Sequence, residues 1–228
     1  MKRSGLSDYL RAALAILVKD ARCELRAKSA LGAVLLFAVT STVAVSFTLG
    51  VTGASGAVSA VLLWLVIYFS AMSGLSRTFV REEEGQTSVI LRLAARPNSV
   101  YLGKLAFNLL VLLALELVAV PLFVVLMRCE VQQWGLFIAL LLVGSLGLSV
   151  GATSAAAMVA KASAKGALFA VISFPLLIPA LAAAIHGTSI ALGGASTGSA
   201  ASDLRLLAYY FGLVLTASLM LFRYIWEE

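Results

Sequence analysis

Leu102–Met127 reads LGKLAFNLLVLLALELVAVPLFVVLM, and beyond Lys104 its only ionisable side chain is Glu116. A helix needs about 20 predominantly apolar residues to cross a hydrocarbon core of about 30 Å. Within lipid, every backbone N–H and C=O must be satisfied internally, which favours an α-helix for an isolated run of this length. This stretch is therefore read as a transmembrane helix, and the rest of the chain repeats its pattern.

Similar runs occupy Leu31–Leu49, Val58–Ser76, Trp134–Met158, Ala167–Ile185 and Leu204–Tyr224. The expected fold is all-α: a polytopic membrane protein of six transmembrane helices with an N-terminal amphipathic helix and both termini cytoplasmic. Composition agrees. The chain has 228 residues, 61% of them hydrophobic and 12% charged. A soluble domain carries roughly 45–50% apolar and about 25% charged residues. Two regions are expected: a cytoplasmic amphipathic segment over 1–30 and a six-helix transmembrane domain over 31–228.

The net charge of +6 does not point to nucleic acid, because its distribution is that of an orientation signal. In this topology only Arg128 and Arg205 lie outside, and the other fifteen of seventeen Lys and Arg lie inside. That asymmetry is the positive-inside rule. Cys23 and Cys129 fall on opposite sides and cannot pair, and there is no CxxC or zinc-ligand spacing. Residues 1–28 are too long and too mixed for a signal peptide, so the first apolar run is expected to remain as a helix. Before it, Leu6, Leu10, Ala13, Leu14 and Leu17 recur at helical spacing beside Arg11, Lys19, Arg22 and Arg26. This pattern predicts a helix lying on the membrane surface.

Segment 77–100 (RTFVREEEGQTSVILRLAARPNSV) is dense in charge through Glu84. It then forms a short apolar helix around Val89–Ala94 that Pro97 ends. It reads either as an element that docks in another protein's groove or as a solvated loop balanced by its own ion pairs. Gly103-Lys104 is not a phosphate-binding loop, since Asn98 and Leu105 stand where the motif requires glycine and Ser or Thr. The chain is thus expected to lack a nucleotide site of its own.

Glu116 lies in mid-span, where an ionisable group is costly and marks either a functional path or a hydrogen-bonded helix contact. Pro121 frees a carbonyl in the same helix. Pro175 and Pro179 predict a broken or kinked fifth span, as a gate or as simple packing. Gly144, Gly147, Gly151 and Ala155 form a small-residue contact face. The longest external connection, 186–203, is expected to be irregular or partly re-entrant. His186, the only histidine, is a polar anchor or a heme-iron ligand facing outward. With one histidine and no acid–base grouping, no enzyme is visible.

Four stretches in this order, KDARCELRAKSA (19–30), SGLSRTFVREEEGQT (73–87), YLGKLAFNLL (101–110) and FPLLIPAL (174–181), resemble the heme exporter B family (CcmB). The resemblance covers about residues 15–190. It implies an ABC-2-type permease in the bacterial inner membrane that serves heme delivery to c-type cytochromes. ATP would be bound on a separate cytoplasmic ATPase subunit, heme would be the substrate, and no cofactor is expected in this chain. Partners would be that ATPase, other cytochrome c maturation membrane subunits, and a second membrane half, as a homodimer or a paired subunit. Segment 77–100 would then be the ATPase-coupling element through Arg77, Phe79, Arg81, Glu82, Glu83, Gly85 and Leu91. Glu116, Pro121, Pro175 and Pro179 are the path or gating candidates. The alternatives are an ABC-2 exporter of a lipid or drug, and a non-transporting membrane anchor of an assembly complex.

Overall fold

A computed structural model describes residues 6–27, 29–49, 54–85, 87–160, 162, 165–193 and 199–227, most of them helical and none of them in a strand. Its helices are α1 (Leu6–Ala27), α2 (Ser29–Leu49), α3 (Gly56–Leu75), α4 (Val80–Glu84) and α5 (Ser88–Ala94), then α6 (Pro97–Leu126), α7 (Trp134–Val159), α8 (Lys165–Ala191) and α9 (Ala200–Glu227). Six of them, α2, α3 and α6–α9, are long and apolar enough to cross a membrane. The expected all-α, six-span architecture is the one observed.

Element boundaries follow local chemistry. Ser55 caps α3, its hydroxyl accepting from the Val58 N–H, which satisfies one orphan amide of the first turn. Pro97 does not so much end α5 as open α6. Arg96 is extended and Pro97 takes the first helical turn, where its missing N–H costs nothing. α6 then runs for 30 residues, about 45 Å at 1.5 Å per residue, more than the hydrocarbon core requires. Its surplus length carries Lys104 at one end of the span.

Two expectations are corrected here. The prolines of the fifth span do not break it, since α8 is a single helix with Pro175 and Pro179 inside. The Tyr210 hydroxyl of α9 donates to the Leu176 carbonyl between the two prolines at 2.9 Å and ties α8 to α9 there. The connection expected over 186–203 is largely helical as well. α8 continues through Ala191 and α9 begins at Ala200, while 194–198 lie outside the described residues.

α7 is the hub, packed on α8, α9, α6 and α3. Its small residues admit large neighbours. A methyl at Gly144 would overlap the Trp64 ring of α3, and one at Gly147 would touch Ala180 and Tyr210. Trp64 in turn donates from Nε1 to Thr188 Oγ1 of α8 at 2.9 Å, so one indole ties three helices. α2 and α9 stand at the periphery, with most of their surface uncovered by this chain.

α1 packs along α6, but with a face the heptad-like leucines do not predict. Its inward residues are Ile16, Asp20 and Glu24, whereas Leu10 and Leu14 are exposed. Burying two carboxylates instead of two leucines requires partners, and those partners form the site.

Candidate functional site

The carboxylates meet where α1, α4 and α6 converge. Lys104 Nζ lies 2.8 Å from Glu82 Oε1 and 3.0 Å from Asp20 Oδ2, and its side chain is 2% exposed. It also donates to the Thr78 carbonyl at 3.1 Å. Lys19 pairs with Asp20 at 3.0 Å and bonds Glu82. Thr87, at the start of α5, donates to Glu82 Oε2. Two ammoniums thus balance two carboxylates, and Glu82 joins three segments remote in sequence. The Glu24 side chain accepts from the Leu31 N–H at 2.9 Å and ties α1 to α2.

The electrostatics follow from this geometry. Burial alone would raise the Glu82 carboxyl above its ordinary value. Lys104 beside it, with hydrogen bonds from Lys104, Lys19 and Thr87, outweighs that effect and holds it at about 2. Burial would lower Lys19, but its bonds to Glu82 and Asp20 prevail and raise it. Glu82 therefore stabilises the fold above about pH 4.5, its ordinary value, and loses that contribution as pH falls towards 2. Lys19 contributes below its ordinary 10.5 and loses it as pH rises through the raised value. At neutral pH both contributions are present in full.

The coupling candidates separate into two sets. Phe79 and Glu82 turn inward. Phe79 is buried against Phe222 and Trp226, with ring centroids 5.5 and 6.2 Å away, and Lys104 Nζ stands over it at 5.8 Å. Leu91 is partly buried against the same core. Arg77 and Gly85 are exposed, and the side chains of Arg81 and Glu83 lie outside the described residues. Among the described residues, the large apolar side chain of the segment that stands exposed is one that the motif reading did not select: Leu93 on α5, 86% exposed. Arg92, on the other side of α5, stacks over Trp226 at 5.3 Å.

From the ion cluster a polar line runs into the span. Lys104, Asn108, Leu112 and Glu116 recur every four residues on one face of α6. Thr78 donates to Asn108 Oδ1 at 2.6 Å, and Asn108 Nδ2 donates to Thr153 Oγ1 of α7 at 2.8 Å. Further along, the Ser145 hydroxyl of α7 donates to Glu116 Oε1 at 2.5 Å. Glu116 is 6% exposed. It therefore faces α7 and not lipid. Pro121 lies one turn beyond it on the same unbroken helix. The proline pair of α8 is not part of this line; Leu177, between them, packs against Gly151 of α7.

At the far end His186 Nδ1 lies 2.8 Å from Asp203 Oδ2, joining α8 to the first turn of α9. With Nδ1 engaged, Nε2 is the nitrogen left to face outward. Asp203 was not singled out from sequence, although an acid in a helix's first turn is a recognisable signal. The partners of Glu82 were less visible, because Lys19, Asp20 and Lys104 approach it only through helix packing. Cys23 and Cys129 are both free, and the described residues hold no group of three or more metal-ligating side chains.

Comparison with known proteins adds the family. No curated protein matches the sequence. The family model for the CcmB protein matches residues 11–223, nearly the whole chain and every span described above. Members of that family are membrane components of heme export in cytochrome c biogenesis. The six apolar helices and this match together establish that the chain is a multi-pass membrane protein belonging to the CcmB family.

Proposed function

We propose that the chain is the permease subunit of an ABC transporter complex for heme export or delivery in c-type cytochrome biogenesis, driven by a separate cytoplasmic ATPase subunit. It lies in the bacterial inner membrane with both termini cytoplasmic and works as one of two paired membrane halves. ATP is bound on the partner, and heme is the transported substrate and not a cofactor of this chain.

The observation that carries this reading is the lock between α5 and α6. α5 offers Leu93 to an outside groove, while Thr87 at its start is bonded to Glu82, and Glu82 to Lys104. A push on α5 is therefore delivered to α6 without slack, and from α6 through Asn108 and Glu116 to α7. Phe79 and Glu82 act as the internal fastening of the coupling element, and its contact face is α5.

The test is a tagged pull-down from solubilised membranes. Leu93→Asp touches no buried partner, so protein level and insertion should be normal while the ATP-binding subunit is lost, by tenfold or more, from the eluate. Undiminished recovery would reject α5 as the docking face. An ATPase recovered without cytochrome c maturation proteins would keep the permease and discard heme. A second measurement addresses the interior: Glu116→Gln keeps the shape and the Ser145 contact but removes the titratable carboxyl. It should lower cytochrome c maturation several-fold at unchanged protein level, and full activity would reduce Glu116 to a packing residue.

A further inference from the structure

The outer face of α1 is not that of a water-facing helix. Leu10, Leu14, Val18 and Leu25 are exposed on it, interleaved with Arg11, Arg22 and Arg26, which have no acidic partner among the described residues. Exposed leucines beside arginines are stable together at one place, the headgroup layer of a bilayer, where the apolar side chains enter lipid and the guanidiniums meet phosphate.

Two concavities meet on this helix. One is an open groove along α1 lined by Arg11, Leu14, Val18, Arg22 and Arg26. The other is a cavity of about 470 Å³ enclosed by α1, α2, α3, α5 and α6. Lys19 and Cys23 line both, so the groove leads into the cavity. The cavity walls are largely apolar and include Val34, Leu75, Phe107 and Val111. Its polar wall holds the ion cluster of Lys19, Lys104, Asp20 and Glu82 together with Glu24, which accepts from the Leu31 N–H. Positive charge is in excess along the groove that leads in, on Arg11, Arg22 and Arg26, and Arg77 stands at the cavity rim. Arg77 is exposed, and it too has no acidic partner among the described residues.

An apolar chamber of this size holds a small ligand or a chain, and unpaired guanidiniums at its mouth select an anionic head. A soluble anion would leave the chamber unfilled. A zwitterionic lipid would bring its own ammonium against the arginines. We propose that groove and cavity together hold one anionic phospholipid from the leaflet against which α1 lies, with its phosphate on Arg22 and Arg26 and one acyl chain in the cavity. The lipid is then a structural wedge between α1 and the span bundle, beside the lock that fastens α5. The site does not depend on which protein α5 engages.

The experiment uses the purified full chain, delipidated in detergent and incubated with phosphatidylglycerol or with phosphatidylcholine of the same acyl chains. Native mass spectrometry should find phosphatidylglycerol retained at least tenfold over phosphatidylcholine. Arg22→Gln with Arg26→Gln should lower that retention by roughly thirtyfold, the loss of two basic contacts at a membrane surface. Both side chains are exposed, so this variant should fold. Val34→Trp, which fills the cavity, should lower retention with the arginines intact. Maleimide labelling of Cys23 should be slowed by phosphatidylglycerol and not by inorganic phosphate. Equal retention of the two lipids, or retention indifferent to the arginine pair, would overturn the proposal. Protection of Cys23 by phosphate alone would make this a soluble-anion site. Protection in a lipid-free dimer would make it a contact between copies. Either result would also overturn it.

Discussion

Replacing Lys104 with methionine will release α1 and α4 from α6 and lower the thermal midpoint of the solubilised protein by several degrees. The ammonium is buried and touches both Asp20 and Glu82, and methionine fills its volume without its charge. Removing one partner of a buried ion pair costs about 3–5 kcal/mol, because the other charge is left uncompensated. Lys19 is half exposed and already engaged, so it replaces only part of the loss. The informative comparison is the double variant Lys104→Met with Glu82→Gln. There Lys19 still pairs with Asp20 and no buried charge is orphaned, so the double variant should be more stable than Lys104→Met alone. Additive losses would mean that the two side chains are not coupled and would remove the lock from the transmission argument. The same pair of variants should restore, in part, recovery of an ATPase that Lys104→Met loses.

Gly103→Val should have a comparable effect by a purely steric route. A Cβ at this position would stand 2.8 Å from the Ala13 carbonyl oxygen and 2.9 Å from Ile16 Cβ. The first of these is backbone and cannot rotate away, so α1 itself must move. Overpacking of this kind costs about 1–3 kcal/mol. Because Asp20 and Glu24 lie on the same face of α1 as Ile16, the shift should pull both away from their partners and exceed the steric cost alone. Cys23, which lines both the groove on α1 and the cavity beneath it, reports the movement: its maleimide labelling rate should change several-fold in Gly103→Val. Gly212→Ala is the control, since nothing lies within 4 Å of a Cβ there, and it should leave both labelling and midpoint unchanged. Labelling of Gly103→Val at the parent rate would show that α1 does not depend on this crossing.

These two substitutions lie one residue apart in a stretch whose transmembrane character was legible without coordinates. Hydropathy reports what each residue would prefer as solvent, and a run of 18 or more apolar residues leaves one answer. That is why six spans could be placed and why the helices agree with them to within a few residues at most ends. The misses share a cause. The fifth span was expected to be broken or kinked because two prolines remove two donors, and α8 is not broken: it remains one helix, with Tyr210 from another span bonded to its backbone. The connection after it was expected to be irregular because small and polar residues are common in turns, yet His186 and Asp203 lie on two facing helices and hold them together. In both cases the deciding partner is distant in sequence.

The candidate site divides in the same way. Glu82, Glu116 and His186 were visible as unusual residues, since each is ionisable in an apolar or constrained setting. Their partners Asp20, Lys104, Ser145 and Asp203 were not, because no local spacing announces a contact between α1 and α6 or between α8 and α9. Leu93 was passed over because an apolar residue in a short apolar helix looks ordinary until its neighbours are seen to leave it uncovered. Composition and the length of each apolar run determined by themselves that this chain crosses a membrane on six helices, since solvent preference is a property of the residues alone. Which face of each helix is turned inward was decided only by the tertiary structure. So was the fate of a buried carboxylate as liability or fastening, because a charge acquires its meaning from the group that packing brings within 3 Å of it.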